Sequence, residues 1–87
     1  MYLHLGSGTV VRGDEVVGVF DLDNTTVSKA TRGFLRLAQE EGRVVDVAPG
    51  ALPKTFVVCV GKVQGERVFV AGVSTGTIYG RAFKMEN

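Results

Sequence analysis

One cysteine, Cys59, two prolines and no tryptophan leave this 87-residue chain with few of the devices that stabilise small specialised domains. A lone thiol excludes a disulfide framework and a cysteine-rich zinc site, and it suits a reducing compartment. No apolar run approaches the about 20 residues that a membrane helix requires. The opening residues MYLHLGSG lack a basic stretch followed by an apolar one, so no targeting segment is expected. A soluble, cytoplasmic protein with no membrane partner is the expectation. An excess of charge is lacking too: 10 Lys and Arg stand against 9 Asp and Glu, a formal +1. That is too little to mark a nucleic-acid binder by itself. Apolar residues, by contrast, are plentiful, at 45% against 22% charged, which excludes a disordered tail. The length predicts a single domain over residues 1–87, with one core and no deep, lidded enzyme cleft.

The residue rhythm predicts strands at 2–5 and 9–12, separated by a Gly6-Ser7-Gly8 turn, and a further turn at Gly13-Asp14. Residues 15–20 (EVVGVF) are apolar and β-branched, the pattern of a strand buried on both faces. A helix is expected from about 26 to 41. Asp23, Asn24 and Thr25 are its candidate caps, and Val27, Ala30, Phe34, Leu37 and Ala38 form its apolar face. Gly42 supplies the left-handed stop. Residues 43–47 read as a strand, and Pro49 and Pro53 mark 48–53 as a loop. Residues 54–62 and 67–73 flank Val63-Gln64-Gly65-Glu66, the pattern of a β-hairpin. Ser74 or Thr75 could cap a second short helix ending near Phe83, against which Gly76 and Gly80 weigh. The fold class is α+β: a small, mainly antiparallel β domain with one long helix and room for a short C-terminal one.

Three segments, VVGVF, FVVCV and VFVAGV, are continuously apolar rather than alternating, so both faces of those strands are expected to leave water. One long helix shields one face. Burial of a Val or Phe side chain is worth about 1.5–3 kcal/mol, and a second copy of the chain would cover what the helix leaves. Self-association is therefore expected.

The segment Val16-Val17-Gly18-Val19-Phe20-Asp21-Leu22-Asp23-Asn24-Thr25 resembles the first motif of haloacid-dehalogenase-type phosphatases, a hydrophobic strand delivering DxDxT. Two carboxylates two residues apart at a strand end point toward one substrate, one as nucleophile and one as acid. That family resembles a much longer, doubly wound α/β sheet with a later Ser or Thr, a Lys and an acidic pair. Here the only adjacent acids, Glu40 and Glu41, fall at the end of the predicted helix. Asp, Asn and Thr are wanted between a strand and a helix for capping alone, and capping is the favoured reading. A minimal phosphatase using Asp21 and Asp23 stays as the less favoured alternative; no catalysis, cofactor, metal or small-molecule substrate is expected. Gly6-Ser7-Gly8 is only part of a dinucleotide-binding fingerprint and is followed by a strand. His4 has no second ligand at metal spacing, and Cys59, among Val57, Val58 and Val60, reads as a buried, inert thiol. Asp21-Leu22-Asp23-Asn24 opens no calcium loop, since the glycine and glutamate that such a loop needs are missing.

Lys29, Arg32 and Arg36 recur at three- and four-residue steps and form a helix stripe opposite Phe34, with Glu40 placed to pair with Arg36. A solvated face is the plainer reading, and a phosphate-contacting ridge the sharper one. Arg12, Lys54 and Arg81 are isolated further cations. One copy would hold DNA weakly, whereas several copies add such contacts through high effective concentration.

Taken together, the opening MYLHLGSGTVV, the segment VVGVFDLD, a single helix, the loop Gly50-Ala51-Leu52-Pro53-Lys54 and the closing VSTGTIYGRA resemble the RemA/RemB extracellular-matrix regulators of bacteria. The resemblance spans almost the whole chain, is closest to the RemB branch, and rests on the order of short motifs. It implies a small cytoplasmic regulator of biofilm-matrix genes, similar in fold to a LytTR-type DNA-binding β domain with an added helix. Assembly into rings that present basic side chains to double-stranded DNA is also implied. On this reading Lys54 and Arg12 contact phosphates, with Arg81 and the stripe Lys29, Arg32 and Arg36 contributing less. The chain departs from the RemA pattern at Glu15, Ala51 and Leu52, where that branch carries arginines. A scaffold of the same fold without DNA binding is the alternative that those departures leave.

Overall fold

The computed structural model describes residues 1–22 and 28–86, with side chains through residue 80. In chain order the elements are β1 (Tyr2–Gly6), β2 (Thr9–Arg12), a 3-10 turn (Gly13–Glu15), β3 (Val16–Asp21), α1 (Lys29–Glu40), β4 (Val44–Asp46), β5 (Thr55–Gly61), β6 (Gly65–Ala71) and α2 (Thr75–Glu86). Strands β1 and β2 form a two-stranded antiparallel sheet, and the remaining four form a second sheet in the order β3-β5-β6-β4. Among the described residues only the β4–β6 pairing is parallel. The fold is α+β, as the residue rhythm predicts.

The most continuously apolar segments take the centre of the four-stranded sheet. Strand β5 is buried from Thr55 to Cys59 without a break, and Val68 and Phe69 are buried side by side on β6. Alternation sends Phe56, Val58 and Val68 to one face, where they meet Ala38, Phe34 and Leu35 of α1. Val57, Cys59, Phe69 and Ala71 go to the other, where they meet Leu3 and Leu5 of β1, Val11 of β2 and Ile78 of α2. The sheet therefore has a cover on each side within one chain. This corrects the premise that one helix leaves a sheet face for a second copy to cover: the N-terminal hairpin and α2 supply the missing layer.

Helix α1 begins later than its sequence suggests. Ser28 is the cap, its hydroxyl oxygen accepting from the Thr31 amide at 3.1 Å, while the candidate caps Asp23, Asn24 and Thr25 lie outside the described residues. At the other end the Gly42 amide donates to the Gln39 carbonyl and the Arg43 amide to the Ala38 carbonyl, with Gly42 at φ +73°. That is the paired-bond stop glycine permits, since a Cβ disfavours this backbone region. The packed face is Thr31, Phe34, Leu35 and Ala38, whereas Leu37 is half exposed. Leu35 takes the place expected of Leu37, packing with Val44 of β4 against the buried cluster.

Helix α2 is as long as α1, not the short element that Gly76 and Gly80 suggest. Each glycine costs about 1 kcal/mol relative to alanine in a helix. Complete burial of Ile78 and the cap formed by the Ser74 hydroxyl oxygen accepting from the Thr77 amide at 3.2 Å outweigh that cost.

Strand β3 departs furthest from its expected setting. It is an edge strand, not one buried on both faces, and among the described residues it pairs only with β5. The register shifts between Val16 and Gly18, and the side chain of the bulged Val17 is 67% exposed. Phe20 lies over Gly18, where a Cβ would stand 2.6 Å from its ring, and stacks on Phe56 with centroids 4.8 Å apart. A side chain at residue 18 would displace the Phe20 ring from this position.

Candidate nucleic-acid interface

The outward face of α1 carries Lys29, Arg32 and Arg36, all exposed. Among the described residues none of the three has an ion-pair partner, and the expected Arg36–Glu40 pair does not form. From Lys29 to Arg36 the helix rises about 10 Å, which spans about three phosphates of one DNA strand at 3.4 Å per charge. Lys29 and Arg32 sit in the first turn, which has no acid, and the last turn has no base. This charge order opposes the helix dipole: positive side chains reinforce the positive N-terminal end, and Glu40 and Glu41 follow at the negative one. The arrangement costs helix stability and concentrates positive potential where an anionic backbone would lie.

Lys54 is fixed by its own backbone. Its amide donates to the Ala71 carbonyl at 2.9 Å and its carbonyl accepts from the Leu22 amide at 2.8 Å, tying it between the ends of β6 and β3. Its side chain is partly exposed and, among the described residues, has no ion-pair partner. Arg12 is differently placed. Its guanidinium donates to both carboxylate oxygens of Asp14, at 3.1 and 2.8 Å, and this bond holds the Arg12 proton more tightly than usual. Lys54 precedes the first residue of β5 and Arg12 lines a cleft beside its last, so the two stand about 20 Å apart along the strand. They do not form one patch in a single subunit. Arg81 falls within α2, and its side chain lies outside the described residues.

The departures from the RemA pattern are at opposite ends of the sheet. Glu15 closes the 3-10 turn, with Oε1 4.0 Å from a terminal nitrogen of Arg67. Ala51 and Leu52 lie on the loop before Lys54, with the Ala51 methyl against Gly72 and Leu52 exposed. Among the described side chains, the cations that residue patterning misses are Arg43, Lys62 and Arg67. Arg43 is engaged by Glu41 and Glu66 and lies over Phe34. Arg67 lies over Phe69, its guanidinium carbon 5.1 Å from the ring centre. The two-residue step from Arg67 to Phe69 along a strand was the available signal, since it places both on one face.

Asp21 ends β3, and Asp23 lies outside the described residues, so the DxDxT pair is not described as a unit. The strand that carries Asp21 is the edge of a mainly antiparallel sheet, unlike the doubly wound sheet that the phosphatase resemblance implies. The Gly6-Ser7-Gly8 segment is a tight turn between β1 and β2, with all three residues at positive φ. His4 is exposed on β1.

Cys59 is fully buried, and burial pushes its thiol up, with Arg67 opposing and Glu15 adding to the effect. Proton release is thus easier from the unfolded chain, so stability is retained below the ordinary thiol range and falls as pH rises through it. A thiol-specific reagent is expected to label Cys59 at the rate of unfolding. Rapid stoichiometric labelling of native protein at neutral pH would contradict the burial.

Comparison with known proteins finds no matching family model and no matching curated protein.

Proposed function

We propose that this chain is a DNA-binding regulator of the RemA/RemB kind, controlling extracellular-matrix genes without catalysis and acting as a ring-like homo-oligomer in the cytoplasm. The observation that carries the reading is the exposed stripe Lys29, Arg32 and Arg36 on α1, which starts at the positive end of the helix and has no ion-pair partner among the described residues. Lys54 adds a rigidly mounted contact, and Arg12 contributes less because Asp14 already engages it. With contacts of this kind scattered over one subunit, DNA shape and repetition of the stripe supply discrimination. Among the described residues no helix is long and apolar enough to cross a membrane.

Self-association in this reading rests on the edge of β3. Among the described residues no strand pairs with β3 on the side away from β5, and Val17 and Phe20 open onto an apolar groove of 420 Å³ shared with Phe34 of α1. A long exposed apolar edge invites a further strand, and a second copy both pairs it and removes Val17 from water. The wild-type chain is expected to sediment as a multimer, and Val17→Glu to shift it to the monomer mass with its fold retained. A wild-type chain that stays monomeric at dilute micromolar concentration removes the ring from the reading. The scaffold alternative is supported by the acid at Glu15 and the engagement of Arg12; absence of duplex binding at low salt would select it.

A further inference from the structure

Among the described residues, Arg67 alone has a buried side-chain polar atom with no hydrogen-bond partner, its Nε. The side chain stands opposite Cys59 in the β5–β6 ladder, and its guanidinium is held over the Phe69 ring. Its nearest acid, Glu15, is 4.0 Å from a terminal nitrogen, beyond the about 3.2 Å limit of ordinary N–H···O bonds. A rigid planar fork is thus positioned with its donors largely unspent. It faces a cleft of 530 Å³ that is also lined by Lys62, Gln64, Glu15 and the engaged pair Arg12–Asp14. That volume is within the usual range for a small-molecule site, about 300–1,000 Å³.

Glu15 occupies the cleft as an internal, imperfect partner. It has room there because residue 61 is glycine: a Cβ at that position would stand 3.2 Å from Glu15 Oε2. Asp14 is turned to Arg12 by two hydrogen bonds, so it competes little for Arg67. An external ligand that displaces Glu15 must present more charge and more acceptor oxygens than one carboxylate. A phosphoryl group does both, and arginine takes it through two parallel N–H···O bonds.

We propose that the cleft between the 3-10 turn and the β5–β6 loop is a phosphoryl-binding seat in which the Arg67 fork and Lys62 hold the anion and Glu15 is the residue it displaces. The seat stands independently of the α1 stripe, and the phosphoryl group belongs either to a free phosphomonoester or to a nucleic-acid backbone.

Inorganic phosphate titrated into the full-length chain at constant ionic strength, followed by amide and arginine Nε–H nuclear magnetic resonance, tests this. Saturable shifts are expected at the amides of Gly61, Gln64 and Gly65 and at Arg67 Nε–H. Glu15→Gln is expected to tighten phosphate binding about fivefold, the effect of removing one like charge at about 4 Å in a watery site. Arg67→Lys keeps the charge and loses the fork, which is expected to weaken binding about tenfold or more. Shifts that fail to saturate, that map to α1 instead, or that Glu15→Gln leaves unchanged overturn the proposal. If Arg67→Lys does not fold, Glu15→Gln alone decides, since it removes a charge without removing packing volume. Duplex DNA added to the phosphate-loaded chain separates the two sources. Displacement of phosphate from the cleft marks a nucleic-acid backbone as the ligand, and phosphate retained beside bound DNA marks a free phosphomonoester.

Discussion

Replacing Lys29, Arg32 and Arg36 together by alanine is expected to flatten the salt dependence of duplex binding and to leave the fold intact. Each phosphate contact contributes about −0.9 to the slope of log affinity against log salt. Loss of the stripe should therefore reduce the slope by up to about 3 for each engaged subunit. Arg12→Ala should change it much less, because that guanidinium is already bound by Asp14. The same triple variant makes a second, opposite prediction. Lys29 and Arg32 stand against the dipole at the start of α1, so their removal should stabilise the helix by about 0.3–1 kcal/mol per charge. Lower affinity with equal or higher melting temperature separates a binding surface from a structural one. An unchanged slope measured between low and moderate salt would place DNA elsewhere on the molecule.

Ile78→Ala is expected to have the largest effect on stability. The side chain is fully buried between α2 and the sheet, in one cluster with Leu5, Val57 and Phe69. Truncation leaves a cavity in this close-packed cluster, and such changes cost about 2–5 kcal/mol. In a chain of this size each kcal/mol moves the melting temperature by about 4–8 °C. Tyr79→Ala is the control: the Tyr79 side chain, next in sequence to Ile78, is 48% exposed, and its truncation should change stability by about 0.5 kcal/mol or less. Comparable small effects at both positions in thermal or chemical denaturation would mean that α2 does not cover the sheet. The need for a second copy over that face would then return.

The apolar run from Thr55 to Cys59, the turn glycines and the stop at Gly42 were legible residue by residue, because each records a local requirement of backbone or solvent. The exposure of the α1 stripe was legible for the same reason, being the side of a helix opposite its packed residues. Arg12 illustrates what was not legible. Its value as a contact depends on Asp14, which is brought to it by a 3-10 turn that sequence spacing shows only as a glycine and an acid. For Arg67 the ring beneath it is two residues along the same strand, but its place opposite Cys59 and its long approach to Glu15 depend on register with β5 and on the 3-10 turn, which no local pattern records.

By itself the sequence determined the α+β class, the hairpin of β5 and β6, and that β5 rejects water on both sides. These follow from side-chain period and hydration, quantities that each segment carries alone. Only the tertiary structure decided what covers the second sheet face, that β3 is an edge, and that Lys54 and Arg12 lie at opposite ends of β5. Such facts depend on which distant segments meet, and a hairpin, a helix or another copy of the chain can each bury the same apolar face.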